Sequence, residues 1–207
     1  MNQVLKQITT FEQIADALCY FRYWRTLFGL LGLCKLPWND VVPADNAQQA
    51  EPAKVPEHVE DYRLFYNAVT GRNLSVNDLL TMSERIYTLQ RVFNLYMGRG
   101  LRSDDRLPYR AMGPVTPEEY LAHEAEYDQE LREAGKTIGA WSIYQKMAEL
   151  RNVKEARYDG LVSTVYARSG WANDGVPTLA KLAELGILDL PKVRETVAPY
   201  LPREEGE

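Results

Sequence analysis

The chain has 207 residues, of which 45% are hydrophobic and 26% charged, and its formal net charge is -5. This length suffices for one substantial hydrophobic core or two small ones. No apolar run reaches the ~18 residues of a membrane span, and the N-terminus lacks the basic-then-apolar pattern of a secretory signal. Two cysteines are too few for a disulfide framework, and the mild acidity argues against broad nucleic-acid binding. We therefore expect a cytoplasmic protein without membrane or nucleic-acid partners.

The first helix signal lies at Thr10, which forms the T-x-x-Q pattern of a capping box with Gln13. Apolar residues then recur at helical spacing, which predicts a helix to about Leu31, ended by Gly32. The segment 39–56 is rich in Pro, Ala, Gln and Asn and shows little periodicity, so it is predicted to form an irregular loop.

Two further helices are indicated in the middle of the chain. Residues 57–69 carry one apolar face, and Gly71 is expected to cap that helix. Ser75 begins an S-x-x-D capping box, and the helix that follows should end at Gly98. We expect this helix to anchor the core, at ~0.8 kcal/mol per buried CH2 group, with Arg91 off the buried stripe. The expected stripe consists of Leu79, Met82, Ile86, Leu89, Phe93 and Met97.

The second half of the chain also shows helical patterns. After a basic, irregular segment at 98–114, Thr116 and Pro117 form a strong helix start, with a helix predicted to about Ala134. Strand-like alternation is absent from the sequence, so we predict an all-α, irregular multi-helix fold. Further predicted helices are 138–151, 153–168, 177–185 and 190–200. The expected organisation is an N-terminal helix with a cysteine motif (1–38), an irregular loop (39–56), a helical core (57–202) and a frayed tail (203–207).

Cys34 is the most informative single residue, because it follows an apolar segment and precedes Pro37 and Trp38. A lone cysteine in such a setting is more often a buried small hydrophobe than a ligand. Zinc and iron–sulfur sites need about four ligands, and Cys19 is the only other cysteine. From the residues alone, Cys34 is either inert core or one ligand of a centre whose other ligands come from elsewhere.

The remaining polar residues favour structural roles. His58 and His123 lie in polar, acidic surroundings and are expected to be solvated. The arginines of residues 99–110 are expected to pair with Asp104 and Asp105, with an anionic partner as the weaker alternative. Aromatic residues of the first helix and the segment after it are dense enough to form an apolar interface, which predicts self-association or a tight partner. These are Tyr20, Phe21, Tyr23, Trp24, Phe28 and Trp38.

Several motifs, in the right order, resemble one known family. Residues 31–37 (LGLCKLP) resemble the C-terminal cysteine motif of the tungsten-pterin aldehyde:ferredoxin oxidoreductases. Residues 69–75 and 83–94 (VTGRNLS and SERIYTLQRVFN) are similar to the family's glycine turn and the helix after it. Residues 99–108 (RGLRSDDRLP) and 170–187 resemble its later loop and its closing segment. The resemblance covers nearly the whole chain.

This resemblance implies a fold and a function. The fold would be the family's C-terminal helical domain. The enzymes oxidise an aldehyde to a carboxylic acid at a tungsten- or molybdenum-pterin, and electrons leave through a [4Fe-4S] cluster to ferredoxin. By resemblance, Cys34 would be the last of four thiolate ligands of that cluster, and Gly32, Leu33 and Lys35 would lie against the pterin. The family's pterin-binding aspartate falls at Gly29 in this chain. No catalytic residue is expected here.

The resemblance also implies partners. In the family, the other three cluster cysteines belong to an earlier domain. We therefore expect an N-terminal domain or partner chain that supplies them, together with ferredoxin or another electron-transfer subunit and an aldehyde substrate. The isolated chain is expected to be inactive. The alternative is a truncated, non-catalytic paralogue that acts as a helical interaction module.

Overall fold

The computed structural model describes residues 10–33, 48 and 57–201. In this part of the chain no strand occurs, and the only sheet-like pairing is an isolated antiparallel bridge between Trp171 and Pro177. The all-α prediction is confirmed. The helices are α1 (Phe11–Leu30), α2 (Glu57–Thr70), α3 (Val76–Tyr96), α4 (Pro117–Leu121), α5 (Glu124–Glu133), α6 (Ile143–Arg168), α7 (Leu179–Glu184) and α8 (Val193–Val197). Short 3-10 turns occupy Arg102–Asp105, Tyr109–Met112 and Ala198–Tyr200.

Some predictions cannot be compared with this structure. Apart from position 48, the expected loop of residues 39–56 lies outside the described residues, as does the expected tail of 203–207. None of the helices in the described ranges is both long enough and apolar enough to cross a membrane.

Local capping fixes the starts of the long helices. The Thr10 hydroxyl accepts a hydrogen bond from the backbone N–H of Gln13, and the Gln13 side chain accepts one from the Thr10 N–H. Ser75 and Asp78 form the same reciprocal pair at the start of α3. Such boxes satisfy donors that the first helical turn leaves unpaired. The three predicted starts, including Thr116 before α4, are confirmed.

Two predicted helix boundaries are wrong. In place of the two helices expected at 138–151 and 153–168, the single helix α6 runs from Ile143 to Arg168; Ser142 caps its start, and it contains no proline. Conversely, the helix expected to run to about Ala134 is divided at His123, whose backbone leaves the helical region with φ -130° and ψ 24°. The division lets Tyr120 and Leu131 enter the same hydrophobic cluster from two helices.

The core consists of three hydrophobic clusters. In the first, α1 contributes Trp24 and Leu27 and α3 contributes Leu79, while two tyrosines of α2 cover them. In the second, the C-terminal half of α3 packs against α7 and α8. In the third, α4 and α5 pack on the N-terminal half of α6. Because α1 also packs along α6, it connects the first cluster to the rest of the molecule. Full burial of each large side chain contributes about 1.5–3 kcal/mol.

The predicted stripe of α3 is wrong in its C-terminal half. Phe93 and Met97 are exposed, whereas Arg91, Val92 and Leu95 are buried. The buried face differs because α7 and α8 cover this half of α3, while α1 and α2 cover the other half. Burial of Arg91 is tolerated because its charge is paired, as described below.

The expected aromatic surface of α1 is also wrong in part. Trp24 and Phe28 are buried rather than available to a partner. The ring of Phe28 contacts Tyr62 of α2 edge to face, with centroids 5.1 Å apart, and Trp24 enters the first cluster. Tyr20 is exposed as expected, and Trp38 lies outside the described residues. The apolar side chains of α1 therefore mostly build the core.

Candidate functional site

The end of α1 leads directly into the cysteine motif. The N–H of Leu33 donates to the carbonyl of Phe28 at 2.9 Å, and the N–H of Gly32 donates to the carbonyl of Gly29 at 3.3 Å. Gly32 adopts φ +69°, so the helix ends in a Schellman motif, which requires a left-handed residue at this position. This cap fixes the direction in which the chain leaves α1, immediately before Cys34.

Of the four predicted site residues, the structure places two. Gly32 and Leu33 lie next to each other in the cap, and Leu33 is exposed. Cys34 and Lys35 lie outside the described residues. Cys19, the other cysteine, is a half-buried free thiol on α1.

A cleft opens between α1 and α3 beside this cap, with a volume of about 460 Å³. Gly29, at the position of the family's aspartate, lies on its wall, and a Cβ atom built there would meet nothing within 4 Å. The cleft therefore has room for a larger side chain or for part of a ligand. Its lining residues are Arg22, Arg25, Thr26, Gly29, Leu30, Ile86, Tyr87 and Gln90.

Aromatic rings surround Arg22 on one side of this cleft. Its guanidinium carbon lies 4.7 Å from the ring centroid of Tyr23, 4.8 Å from that of Tyr87 and 5.4 Å from that of Trp171. Its Nη2 donates to Tyr23 Oη at 2.7 Å and to Ser169 Oγ. Its Nε is buried and has no hydrogen-bond partner within the described part of the chain. This orphaned donor is a candidate ligand contact.

The cleft carries the positive charges of Arg22 and Arg25. Within the described ranges, neither Arg22 nor Arg25 forms an ion pair with a carboxylate, while the nearby Glu84 pairs with Lys181 at 2.7 Å. Tyr23 Oη donates to Glu84 at 3.2 Å, and burial raises the pKa of Tyr23 to about 12, so the hydroxyl stays protonated. The arrangement suits an anionic ligand.

A second polar cluster is centred on Arg91. Its Nη1 and Nη2 donate to the two carboxylate oxygens of Asp105 at 3.0 and 2.8 Å, and its Nε donates to the carbonyl of Gly175 at 2.9 Å. Tyr166 Oη donates to the same carboxylate. This bidentate pair joins α3, the loop after it and the segment after α6, which are three of the regions that carry the sequence motifs.

The protonation states in this cluster are fixed. Burial by itself raises the pKa of Asp105, but the hydrogen bonds from Arg91 and Tyr166 outweigh that effect and hold the pKa below its ordinary value. Burial raises the pKa of Tyr166 to about 12. No group of this cluster is therefore poised to exchange a proton near neutral pH. Its chemistry is that of a structural clamp.

The arginines of residues 99–110 do not pair with Asp104 and Asp105 as expected. Arg102 donates to Asn173 Oδ1 at 2.8 Å, and Arg110 pairs with Glu119. The Asp104 carboxylate instead accepts hydrogen bonds from backbone N–H groups. The spacing did not indicate the partners of Arg102 and Arg110, because these lie outside the segment 99–110. Arg99 and Arg106 have no ion-pair partner in the described ranges, so the alternative of an anionic partner stays a prediction.

One of the two histidine side chains lies in the described part of the chain. His123 is exposed, with Nδ1 3.7 Å from Glu126 Oε2, as expected of a solvated residue. The side chain of His58 lies outside the described residues. In the described ranges, no three or more His, Cys, Asp or Glu residues group as a metal site.

Comparison with known sequences decides the family. The family described as aldehyde ferredoxin oxidoreductase, domains 2 & 3, matches residues 1–187. The chain belongs to this family. Its similar relatives include tungsten-containing aldehyde ferredoxin oxidoreductases of three archaeal species. The Pyrococcus furiosus protein is 28% identical over 130 residues, covering 63% of this chain and 16% of the relative. The Pyrococcus abyssi protein is 39% identical over 128 residues, covering 62% and 16%.

The third relative, from Thermococcus kodakarensis, is 39% identical over 59 residues, covering 28% of this chain and 10% of the relative. The chain thus matches at most about a sixth of the length of these relatives. No solved structure matches the chain.

Within this aldehyde ferredoxin oxidoreductase domain, sequence reasoning missed Arg22 and Arg91 as organising residues. Arg91 was expected off the buried stripe, yet it holds Asp105. Arg22 interrupts an aromatic run on α1 (FRYWR, residues 21–25), and this was the one available signal. Its partner Ser169 is 147 positions away, so the sequence pattern gives no indication of the contact.

Proposed function

We propose that this chain is the part of an aldehyde:ferredoxin oxidoreductase-like enzyme that completes a [4Fe-4S] cluster through Cys34. Gly32, Leu33 and Lys35 would border a tungsten- or molybdenum-pterin. The assembled enzyme would oxidise an aldehyde to a carboxylic acid and pass electrons through the cluster to ferredoxin. The observation that carries the proposal is the position of the LGLCKLP motif, which begins in the cap of α1 beside a cationic cleft.

The cap supports the proposed role of Cys34. Gly32 and Leu33, which precede Cys34 in the sequence, are held by hydrogen bonds to α1. Backbone that is already ordered next to a ligand loses less conformational entropy when a metal binds. Thiolate sulfur suits iron. In the assembled enzyme the apolar side chain of Leu33, exposed in this chain, would limit access of water and so tune the potential of the iron–sulfur cluster.

The cleft supports the proposed pterin site. Its volume of about 460 Å³ falls in the range of small-molecule sites, which is about 300–1,000 Å³. Arg22 and Arg25 supply guanidinium donors for an anionic cofactor, and the orphaned Nε of Arg22 would gain a partner. These donors fit the group, although Gly29 supplies no carboxylate acceptor. When bound, the metal-pterin supplies the two-electron oxidation.

The residues of this chain would therefore bind and orient rather than catalyse. In this proposal Cys34 holds the cluster, Arg22 and Arg25 hold the anionic part of the pterin, and the apolar residues exclude water. The remaining thiolates would come from an N-terminal domain or a partner chain, since the chain matches only 16% of the length of its P. furiosus relative. The isolated chain would then be inactive.

The test uses the protein purified from its native cells with whatever it binds. Metal analysis of the wild type is expected to give about four iron atoms per complex, together with tungsten or molybdenum. Sequencing of the co-purifying protein is expected to identify a cysteine-rich partner. Cys34→Ser is expected to lose most of its iron and, after reduction with dithionite, the paramagnetic signal of the reduced cluster. Cys19→Ser is the matched control, because it removes the other cysteine of the chain, a half-buried thiol on α1, and it should retain both. Unchanged iron in Cys34→Ser would refute the proposed ligand.

The second candidate is a non-catalytic helical interaction module, and Gly29 is the observation that favours it. A chain that no longer binds pterin has no need of the carboxylate at this position. This candidate predicts a stable, colourless protein whose native complex contains neither iron nor tungsten or molybdenum. Metal in stoichiometric amount would exclude it.

A further inference from the structure

The outward face of α2 is apolar, although the helix lies at the surface. Its inward side carries Tyr62 and Tyr66, which pack on the first hydrophobic cluster. Its outward side carries Leu64, Phe65 and Val69, which are 50%, 70% and 86% exposed. Isolated exposed apolar residues are common on proteins, but a contiguous group of them marks an interaction surface.

The exposed residues follow one stripe along the helix. Leu64, Phe65, Ala68 and Val69 recur at spacings of three to four and are all exposed, so they share one side of α2. Asp61, also exposed, lies on the same side one turn before Phe65. We call these five residues the α2 stripe.

The α2 stripe of one copy matches the α2 stripe of a second copy when the two helices lie antiparallel. In an antiparallel pair centred between Tyr66 and Asn67, Leu64 of one helix faces Val69 of the other, and the large Phe65 faces the small Ala68. The same rotation brings Asp61 near Arg72, which is exposed just past the end of the helix. Within the described ranges neither of these two charges has an ion-pair partner.

We propose that the α2 stripe docks against the same stripe of a second copy of this chain, around a two-fold axis. A two-fold interface uses each contact twice, so the Leu64–Val69, Phe65–Ala68 and Asp61–Arg72 pairs each occur on both sides of the axis. Antiparallel helices also bring the positive N-terminal end of one dipole to the negative C-terminal end of the other. This inference depends on α2 alone and is independent of the proposed role of Cys34.

The size of the surface sets the expected strength. A helix of 14 residues is about 21 Å long, so the pair buries less than the ~800 Å² per partner of a standard interface. The expected dimer is therefore weak and depends on concentration. It should be mostly monomeric near 1 µM and substantially dimeric toward about 1 mM.

Sedimentation velocity of the purified full chain over that concentration range tests the proposal. Val69→Asp should abolish the dimer, because it buries an unpaired charge against Leu64 of the other copy, on both sides of the axis. Tyr144→Asp is the matched control, since Tyr144 is 72% exposed on α6, and it should dimerise as the wild type does. Circular dichroism checks that both variants remain folded.

A charge exchange tests the two-fold geometry. Asp61→Arg and Arg72→Asp each place like charges together and should weaken dimerisation about three- to tenfold at low salt. The double variant restores opposite charges on both sides of the axis and should return to within about twofold of the wild type. Failure of the double variant to recover would overturn the pairing. A wild type that stays monomeric throughout the concentration range would overturn the proposal. It would also be overturned if the wild type stays monomeric but co-purifies with a different protein that Val69→Asp no longer binds, because α2 would then dock that protein.

Discussion

The cleft at the end of α1 and the Arg91 cluster both belong to segments with family motifs, yet they are built in opposite ways. In the Arg91 cluster each charged group has a partner. The Asp105 carboxylate accepts hydrogen bonds from two guanidinium nitrogens of Arg91, and the Gly175 carbonyl accepts one from the third. In the cleft, Arg22 Nε has no hydrogen-bond partner within the described part of the chain, and Gly29 leaves open space.

The difference separates two reasons for placing an arginine inside a protein. A guanidinium whose donors are used by the chain itself holds distant segments together, and its removal affects folding. A guanidinium with a free donor beside open space can act on something outside the chain. The two regions should therefore respond differently to substitution.

The largest effect is expected for Arg91→Met. This change leaves the Asp105 carboxylate half-buried without its bidentate partner, so the free energy of unfolding should fall by about 3 kcal/mol. Arg99→Met is the matched control, because Arg99 is exposed at the end of α3, and it should change stability by less than about 0.5 kcal/mol. Urea denaturation measures both. Equal effects would mean that the Arg91 pair does not stabilise the fold.

Gly175→Ala tests how tightly the Arg91 cluster is closed. Gly175 has φ +90°, and a Cβ there would collide with Arg91 Nη2 and lie 3.1 Å from Tyr166 Oη. We expect a loss of about 2 kcal/mol from backbone strain and the clash together. Gly186→Ala has a similar φ of +65° but meets nothing within 4 Å, so it should lose only about 1 kcal/mol. A loss no larger for Gly175→Ala would show that the cluster is loose.

The Asp105 carboxylate should make the free energy of unfolding depend on pH. Its pKa is lower in the folded chain than its ordinary value, so its contribution is present above the unfolded pKa of about 3.9. That contribution is lost as the pH falls through the lower folded pKa. The stability difference between the wild type and Asp105→Asn should therefore shrink below about pH 4.

The control for this titration is Asp189→Asn, whose carboxylate is 91% exposed. Its stability difference from the wild type should stay small at each pH. Denaturation curves between neutral pH and about pH 3 make the comparison. A difference for Asp105→Asn that stays constant over this range would contradict the linkage.

The smallest effects are expected at the end of α1. Gly29→Asp enters open space and should change the free energy of unfolding by no more than about 0.5 kcal/mol, because better helix propensity offsets an acid near the C-terminal end of the helix. The same substitution at Gly32, which has φ +69°, should cost about 1 kcal/mol. Thermal denaturation distinguishes the two. A costly Gly29→Asp would mean that the cleft is closed in solution.

Some of the fold and site could be predicted because the decisive contacts are local. Thr10 and Ser75 cap their helices through partners three residues away, so a short pattern suffices. The turn at Gly32 was expected from glycine after a helical run, and its φ of +69° agrees. The cysteine motif was found by resemblance, and Cys34 itself stays a prediction.

By itself, then, the sequence determined the all-α fold, the capped helix starts at Thr10, Ser75 and Thr116, the glycine turns and the family, because capping, periodicity and ordered motifs are properties of neighbouring residues. Only the tertiary structure decided that Arg91 is buried, that the helix breaks at His123, and that Arg22 lies among rings from three segments. These outcomes depend on contacts between residues up to 147 positions apart. Local sequence patterns do not predict such contacts. A charged side chain is buried only when a partner, here a distant one, compensates its desolvation.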